Sequence, residues 1–192
     1  MVAHAIRSIE DIDRGRVELA WKELLAALGY DPEDPHLVGT PERVARFHAT
    51  WNTQGKDPPK LTVFPNDGTD QVIAVGGIRM HSLCAHHGLP FVGVAAVGYI
   101  PRLRLVGLSK LARVVDHYSH RFTVQETITT KVAKYLEEQL EPVGVGVVIK
   151  AQHMCMSLRG VQKHDHFTVT SAMRGAFRKD MASRDELLRL VQ

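Results

Sequence analysis

The chain has 192 residues, 44% of them hydrophobic, and a formal net charge of +3 from 24 basic and 21 acidic side chains. This length suits one compact domain with an extra helical arm, and the hydrophobic share excludes a disordered chain. So small a basic excess argues against a duplex-DNA binder, which concentrates positive charge on one face, and is equally compatible with a small anionic ligand.

Two cysteines, Cys84 and Cys155, are too few for a disulfide scaffold. A single disulfide between them in a secreted protein is one reading. The N-terminal stretch MVAHAIRSIEDIDRGRVE lacks the apolar run of a secretory leader, so none is expected. Apolar stretches are interrupted by glycine or charge well short of the ~18 residues a membrane span needs. A cytoplasmic location is therefore the default expectation.

In chain order, residues 14–29 carry Val17, Ala20, Trp21, Leu24 and Leu28 at helical spacing and end at Gly29. A proline-containing loop follows. A second helix is expected over 40–51, with Thr40 as its cap and Pro41 where no backbone donor is needed. Residues 52–70 are rich in Pro, Gly, Asn and Asp and read as a long connection. Beyond it, QVIAVGGIRM and FVGVAAVGYIP read as strands, because Val and Ile dominate and turn residues bound them. Residues 109–119 and 123–140 read as helices, the second with Val124, Ile128, Val132, Tyr135 and Leu136 on one side. GVGVVIKAQHMCM is a third strand, HFTVTSAM a fourth, and SRDELLRLVQ a short helix capped by Ser183. The order implies an α+β fold around an antiparallel sheet. The expected division is an N-terminal helical arm and connection over 1–70 and a catalytic domain over 71–192, acting as one functional unit.

Cys84 and His87 stand in a C-x2-H spacing, which lets two side chains bend onto one metal ion from a tight loop. Cys155, at the end of the third expected strand, offers a third ligand. Two thiolates and one imidazole suit zinc and leave the fourth position open, the composition of a catalytic site. A lone CxxH is a weak signal, and a free cysteine is often a core residue. Two neighbours strengthen the metal reading: His86 abuts His87, and His153 lies two residues before Cys155, on the same face if both belong to a strand. His164 and His166 read as a solvated loop.

Ser109 and Lys110 begin an expected helix, where free N–H groups favour phosphate. Arg113 shares a face with Lys110, Arg159 follows Cys155 by four residues, and Arg43 sits in the first turn of the second helix. Each alone is a solvated charge; together they can cradle a polyphosphate. Gln125 and Glu126 carry the amide and carboxylate that suit a guanine edge. The plainer reading gives Glu126 to a capping box with Thr123.

The ordered blocks TPERVA, SLCAHH, GYIP, GLSKLARVV, VQE, HMCMSLRGV and TVTSAMRGAF resemble the GTP cyclohydrolase I family over nearly the whole chain. That resemblance implies the tunnelling fold, a four-stranded antiparallel sheet with helices on one face, assembled as a homodecamer with active sites between subunits. It implies Zn2+ on Cys84, His87 and Cys155, and catalytic roles for His86, His153 and Ser109. It implies phosphate contacts at Lys110, Arg113 and Arg159, with Arg43 reaching in from another subunit, and guanine recognition by Gln125 and Glu126. The implied reaction turns GTP and water into 7,8-dihydroneopterin triphosphate and formate, at the entrance to folate and tetrahydropterin synthesis, with no nucleic-acid or membrane partner. Ala85 departs from the family, which usually carries an acidic residue there, and QKHDHF (162–167) is unusually rich in histidine. Three other readings stand beside this one: a related cyclohydrolase that stops at a cyclic phosphate, a non-catalytic zinc or nucleotide-binding regulator, and a relative acting on another pterin or deazapurine.

Overall fold

The computed structural model describes residues 12–191. Residues 1–11, on which the expectation of no secretory leader mainly rests, lie outside the described residues, as does residue 192. The described chain divides into two compact units between Asp57 and Pro58.

In the first unit, α1 (Arg14–Ala27) packs on α2 (Thr40–Trp51). Asp13 caps α1 by accepting from the Arg16 N–H at 2.9 Å. The covered stripe of α1 runs through Val17, Trp21 and Leu25, whereas Ala20, Leu24 and Leu28 of the expected stripe are exposed. Thr40 is the first helical residue rather than the cap; Gly39 holds that position without a side-chain bond, and Pro41 sits in the first turn as expected.

In the second unit, β1 (Val63–Pro65) precedes the long strands β2 (Ile73–Cys84) and β3 (Pro90–Ile100). β4 (Arg104–Val106) pairs with β1, so the expected connection over 52–70 contains a strand. Then come α3 (Leu108–Ser119), β5 (Phe122–Thr123), α4 (Gln125–Leu140), β6 (Gly144–His153), α5 (Met154–Ser157), β7 (Thr168–Gly175), α6 (Ala176–Lys179) and α7 (Met181–Leu190). Strands β2, β3, β6 and β7 form an antiparallel sheet in that spatial order. The two-residue β5 adds to the β2 edge in parallel, which makes the sheet mixed and five-stranded. β5 is too short to show a strand period in sequence, and its pairing is set by the neighbour it meets.

Alternation along the strands places Val97, Tyr99, Val145, Val147 and Ile149 in the core with Leu111 and Val115 of α3 and Ile128, Val132 and Leu136 of α4. α3 packs against β2, and α4 against β6 and β7. The opposite side of the sheet is not left bare at one end. A Cβ on Gly98 would meet the Leu187 side chain of α7 at 2.2 Å, and one on Gly146 would meet it at 2.3 Å. These two glycines therefore permit a close approach of α7 from the face opposite Val97 and Val147, so the helices do not all lie on one face. Gly76 and Gly77 mark the irregularity in β2 between Val75 and Ile78, with Gly77 at φ +67°. The α7 cap is Asp180, which accepts from the Ser183 N–H at 2.8 Å, rather than Ser183 itself.

Candidate metal and acid-base site

β2 ends on Cys84, which is buried. The chain turns at once: the N–H groups of His87 and Gly88 donate to the Cys84 carbonyl at 3.2 and 2.8 Å, and the Cys84 N–H donates to the Leu89 carbonyl at 2.8 Å. Gly88 adopts φ +69°, a conformation that side chains disfavour, and so lets β3 leave in the opposite direction. This tight turn brings Cys84 Sγ within 3.5 Å of His87 Nδ1. The ligand atoms of Cys84, His86 and His87 all lie within 4.8 Å of one another. Ala85 contributes its backbone: its N–H donates to the Thr123 carbonyl at 3.0 Å and ties the turn to β5.

β6 stops at His153, and Cys155 lies on the single helical turn α5, not on a strand. The expected same-face strand relation between His153 and Cys155 therefore does not hold. The turn nevertheless carries Cys155 close enough to the Cys84 thiol for the two to interact. Burial, and then the neighbouring Cys84, push the Cys155 thiol above its usual pKa. Both cysteines are free, which excludes the alternative of a Cys84–Cys155 disulfide in this structure.

Two thiols side by side with an imidazole nitrogen beside them are a donor set that zinc accepts. Interatomic distance groups Cys84 with both histidines; Cys155 lies outside that group but near enough to act on Cys84. Chemistry favours the set with Cys155, because zinc binding would deprotonate both thiols and turn their costly proximity into an attraction through the cation. Arg159 closes the outer edge, donating from Nη1 to His87 Nε2 at 3.0 Å.

His153 stands beside this group. Phe91, opposite it in the β3–β6 register, stacks on its ring with centroids 4.5 Å apart and 3° between planes. Gln125 Oε1 accepts from His153 Nε2 at 2.8 Å. The His153 backbone N–H donates to His166 Nε2 at 3.4 Å, and His166 Nδ1 donates to the Lys163 carbonyl at 2.7 Å. His166 is thus a strut of the site rather than part of a solvated loop, while His164 is exposed. Burial lowers the His153 pKa most; the Glu126 carboxylate opposes that, and His166 adds to it. Glu126 is exposed and close enough to act on His153. The N-cap of α4 is Val124, without a side-chain bond, so the capping box with Thr123 is not formed.

Other expected site residues lie elsewhere. Ser109, Lys110 and Arg113 occupy the first two turns of α3. The other end of that helix abuts the metal corner, because the Arg121 carbonyl accepts from the Ser82 hydroxyl at 3.0 Å and the Leu83 N–H at 3.4 Å. A 12-residue helix is ~18 Å long, and Ser109 and Lys110 stand in its first turn, at the end away from that corner, with Arg113 midway. Arg43 lies in α2, in the other unit.

Residues 17–192 match the family described as GTP cyclohydrolase I. The chain belongs to that family. It is 44% identical to GTP cyclohydrolase 1 of Caldanaerobacter subterraneus over 185 residues, covering 94% of this chain and 97% of that one. The corresponding protein of Thermobifida fusca is 47% identical, covering 94% and 89%, and that of Listeria monocytogenes is 45% identical, covering 96% and 99%. Among solved structures, the archaeosine synthase QueF-Like in the apo form overlays 57% of this chain at a TM-score of 0.44 and 17% identity, too distant to bear on the site. Family membership selects among the uses of a Cys-His-Cys corner, favouring a cyclohydrolase over a regulator. Among the described residues no helix is long and apolar enough to cross a membrane.

Proposed function

We propose that the chain is a zinc-dependent GTP cyclohydrolase I, converting GTP and water to 7,8-dihydroneopterin triphosphate and formate in the cytoplasm, as the first step of folate or tetrahydropterin synthesis. The observation that carries this reading is the Cys84–His87 pair, with Cys155 near Cys84 and the His153–Glu126 pair at the same corner, in a chain of this family. The fold is read as the tunnelling fold, with 71–192 as its catalytic domain and 1–70 as the arm.

Cys84, His87 and Cys155 would hold the ion, and His86 stays off it. Zinc, when bound, supplies Lewis acidity that makes water nucleophilic near neutral pH. Glu126 accepts N–H groups of the guanine edge and so orients the base. Water adds at C8 of the base, and His153 delivers a proton to N7 as the imidazole ring of guanine opens. His86 and Ser109 move protons in the later opening and rearrangement of the ribose. Lys110, Arg113, Arg159 and Arg43 hold the triphosphate, and charge-assisted bonds there set the distance from base to metal.

The placement of Ser109 and Lys110 at the end of α3 away from the cysteines supports active sites completed by a neighbouring subunit, in a homo-oligomer of ten copies. The deciding experiment is a GTP assay on metal-quantified protein. Pterin fluorescence and stoichiometric formate, both abolished by chelation and restored by zinc, are expected. GTP consumption with a cyclic phosphate product and no fluorescent pterin would point to the related cyclohydrolase reaction instead.

A further inference from the structure

Gln125 and Glu126 are adjacent at the start of α4, and the sequence places both on the base. Their surroundings separate them. Glu126 is exposed, whereas Gln125 is fully buried at 0% exposure. The two hydrogens of the Gln125 amide nitrogen are shared among three acceptors, the Ile149 carbonyl at 3.0 Å, the Thr168 carbonyl at 3.0 Å and the Thr170 hydroxyl at 3.1 Å. Two of those partners can only accept, so the amide cannot be turned over. The third is settled by its own neighbours. Thr129 donates its hydroxyl proton to the Gln125 backbone carbonyl at 2.9 Å. The Thr170 hydroxyl, 2.6 Å from that of Thr129, must then donate to it, which leaves a Thr170 lone pair for Gln125.

The network fixes which end of the amide faces His153. Oε1 faces it, at 2.8 Å from Nε2. A carbonyl oxygen only accepts, so His153 Nε2 must carry a hydrogen. Nδ1 is then the nitrogen left to exchange a proton with a substrate: it carries the second proton of the charged ring and holds the lone pair once that proton is given up. Phe91 sets the plane of the ring by stacking, and Gln125 sets its tautomer.

We infer that Gln125 is a positioning residue for His153, holding it as the Nε2–H tautomer with Nδ1 as the proton-exchanging atom, and that side-chain recognition of the base falls to Glu126 and not to Gln125. This rests on the reading of His153 as the acid in a GTP cyclohydrolase. A group that orients a catalytic imidazole affects turnover, whereas a group that holds the base affects substrate affinity in the first place.

The test uses the whole protein in two measurements. Solid-state NMR of 15N-histidine-labelled enzyme distinguishes the tautomers, with His153 assigned by its absence in His153→Ala. The wild type is expected to show Nε2–H at His153, and Gln125→Met to show a mixture. In the GTP assay, Gln125→Met is expected to lower kcat by roughly 10²-fold, the range of a lost acid-base contribution, with KM within about twofold of wild type. Should the buried substitution prevent folding, Thr170→Val removes one anchor of the amide and is expected to give a smaller loss of kcat and a partial tautomer mixture. An Nδ1–H tautomer in the wild type, or variants that raise KM at unchanged kcat, would overturn the inference. Absence of formate from GTP with wild-type enzyme would instead overturn the functional reading, and the tautomer result would still judge the Gln125–His153 bond.

Discussion

Two regions of the second unit carry residues suited to the same substrate, yet they are built differently. At the corner where β2, β5, β6 and α4 meet, hydrogen bonds within one chain tie the Cys84–Gly88 turn to Thr123 and His153 to Gln125, and Cys155 lies near Cys84. At the first turns of α3, Ser109 and Arg113 are exposed, and the helix separates them from that corner. The first region has the chemistry for a metal and a proton. The second has charge that suits phosphate. On the proposed function, the chemical part of the site comes from folding and the anchoring part from association of subunits.

The largest effect should come from breaking the first region. Cys155→Ser is expected to lose stoichiometric zinc and essentially all formate release, as metal analysis and the GTP assay would record; zinc retained at one per chain would refute the ligand assignment. Next is His153→Ala, which should keep its zinc and lose roughly 10²–10⁴-fold in formate release, the range of a general acid. A full-rate variant would remove His153 from that role.

Breaking the second region should cost less and look different. Lys110→Ala is expected to raise KM for GTP by roughly tenfold or more, in line with ~1.5–3 kcal/mol for a bond to a charged group, at unchanged zinc content. The comparison sharpens further in a mixing experiment. Cys155→Ser and Lys110→Ala subunits, dissociated and reassembled together, should recover activity beyond the sum of the two separate variants. That happens only if one intact site can draw its metal corner and its Lys110 from different chains. No recovery after verified mixing would place both on one chain.

The smallest effect concerns the far end of α3. Burial lowers the His120 pKa most, with His81 and Arg121 adding to it and Asp116, 3.9 Å away, opposing. The folded state therefore binds a proton at His120 less readily than the unfolded chain. Stability from this source is present above pH ~6.5, the unfolded value, and is lost as pH falls below it. His120→Gln should flatten the fall of Tm between about pH 7 and 5; an unchanged pH slope would count against the assignment.

Much of this corner was legible in the sequence, for identifiable reasons. The C-x2-H spacing presupposes a turn, and the turn is there. Val- and Ile-rich runs bounded by turn residues located β2, β3 and β6, and the 3.6-residue period located α4. The expected strand through Cys155 failed because periodicity does not mark where a strand gives way to one helical turn. The expected caps at Thr40 and Ser183 missed because several capable residues stand in a row, and the backbone path selects among them. His166 read as solvent-exposed because nothing local reveals that its loop folds back onto the His153 backbone.

By itself, then, the sequence determined the residue types that zinc, phosphate and a purine edge require, their order along the chain, and through that order the family. These are matters of composition and spacing, which survive without coordinates. Only the tertiary structure decided what each group faces. It separated buried Gln125 from exposed Glu126, brought Cys155 to Cys84 across 71 positions of sequence, and left Ser109 and Lys110 at the other end of their helix. Hydrogen-bond partners, tautomers and burial depend on segments distant in sequence meeting in space, and no local pattern specifies which segments meet.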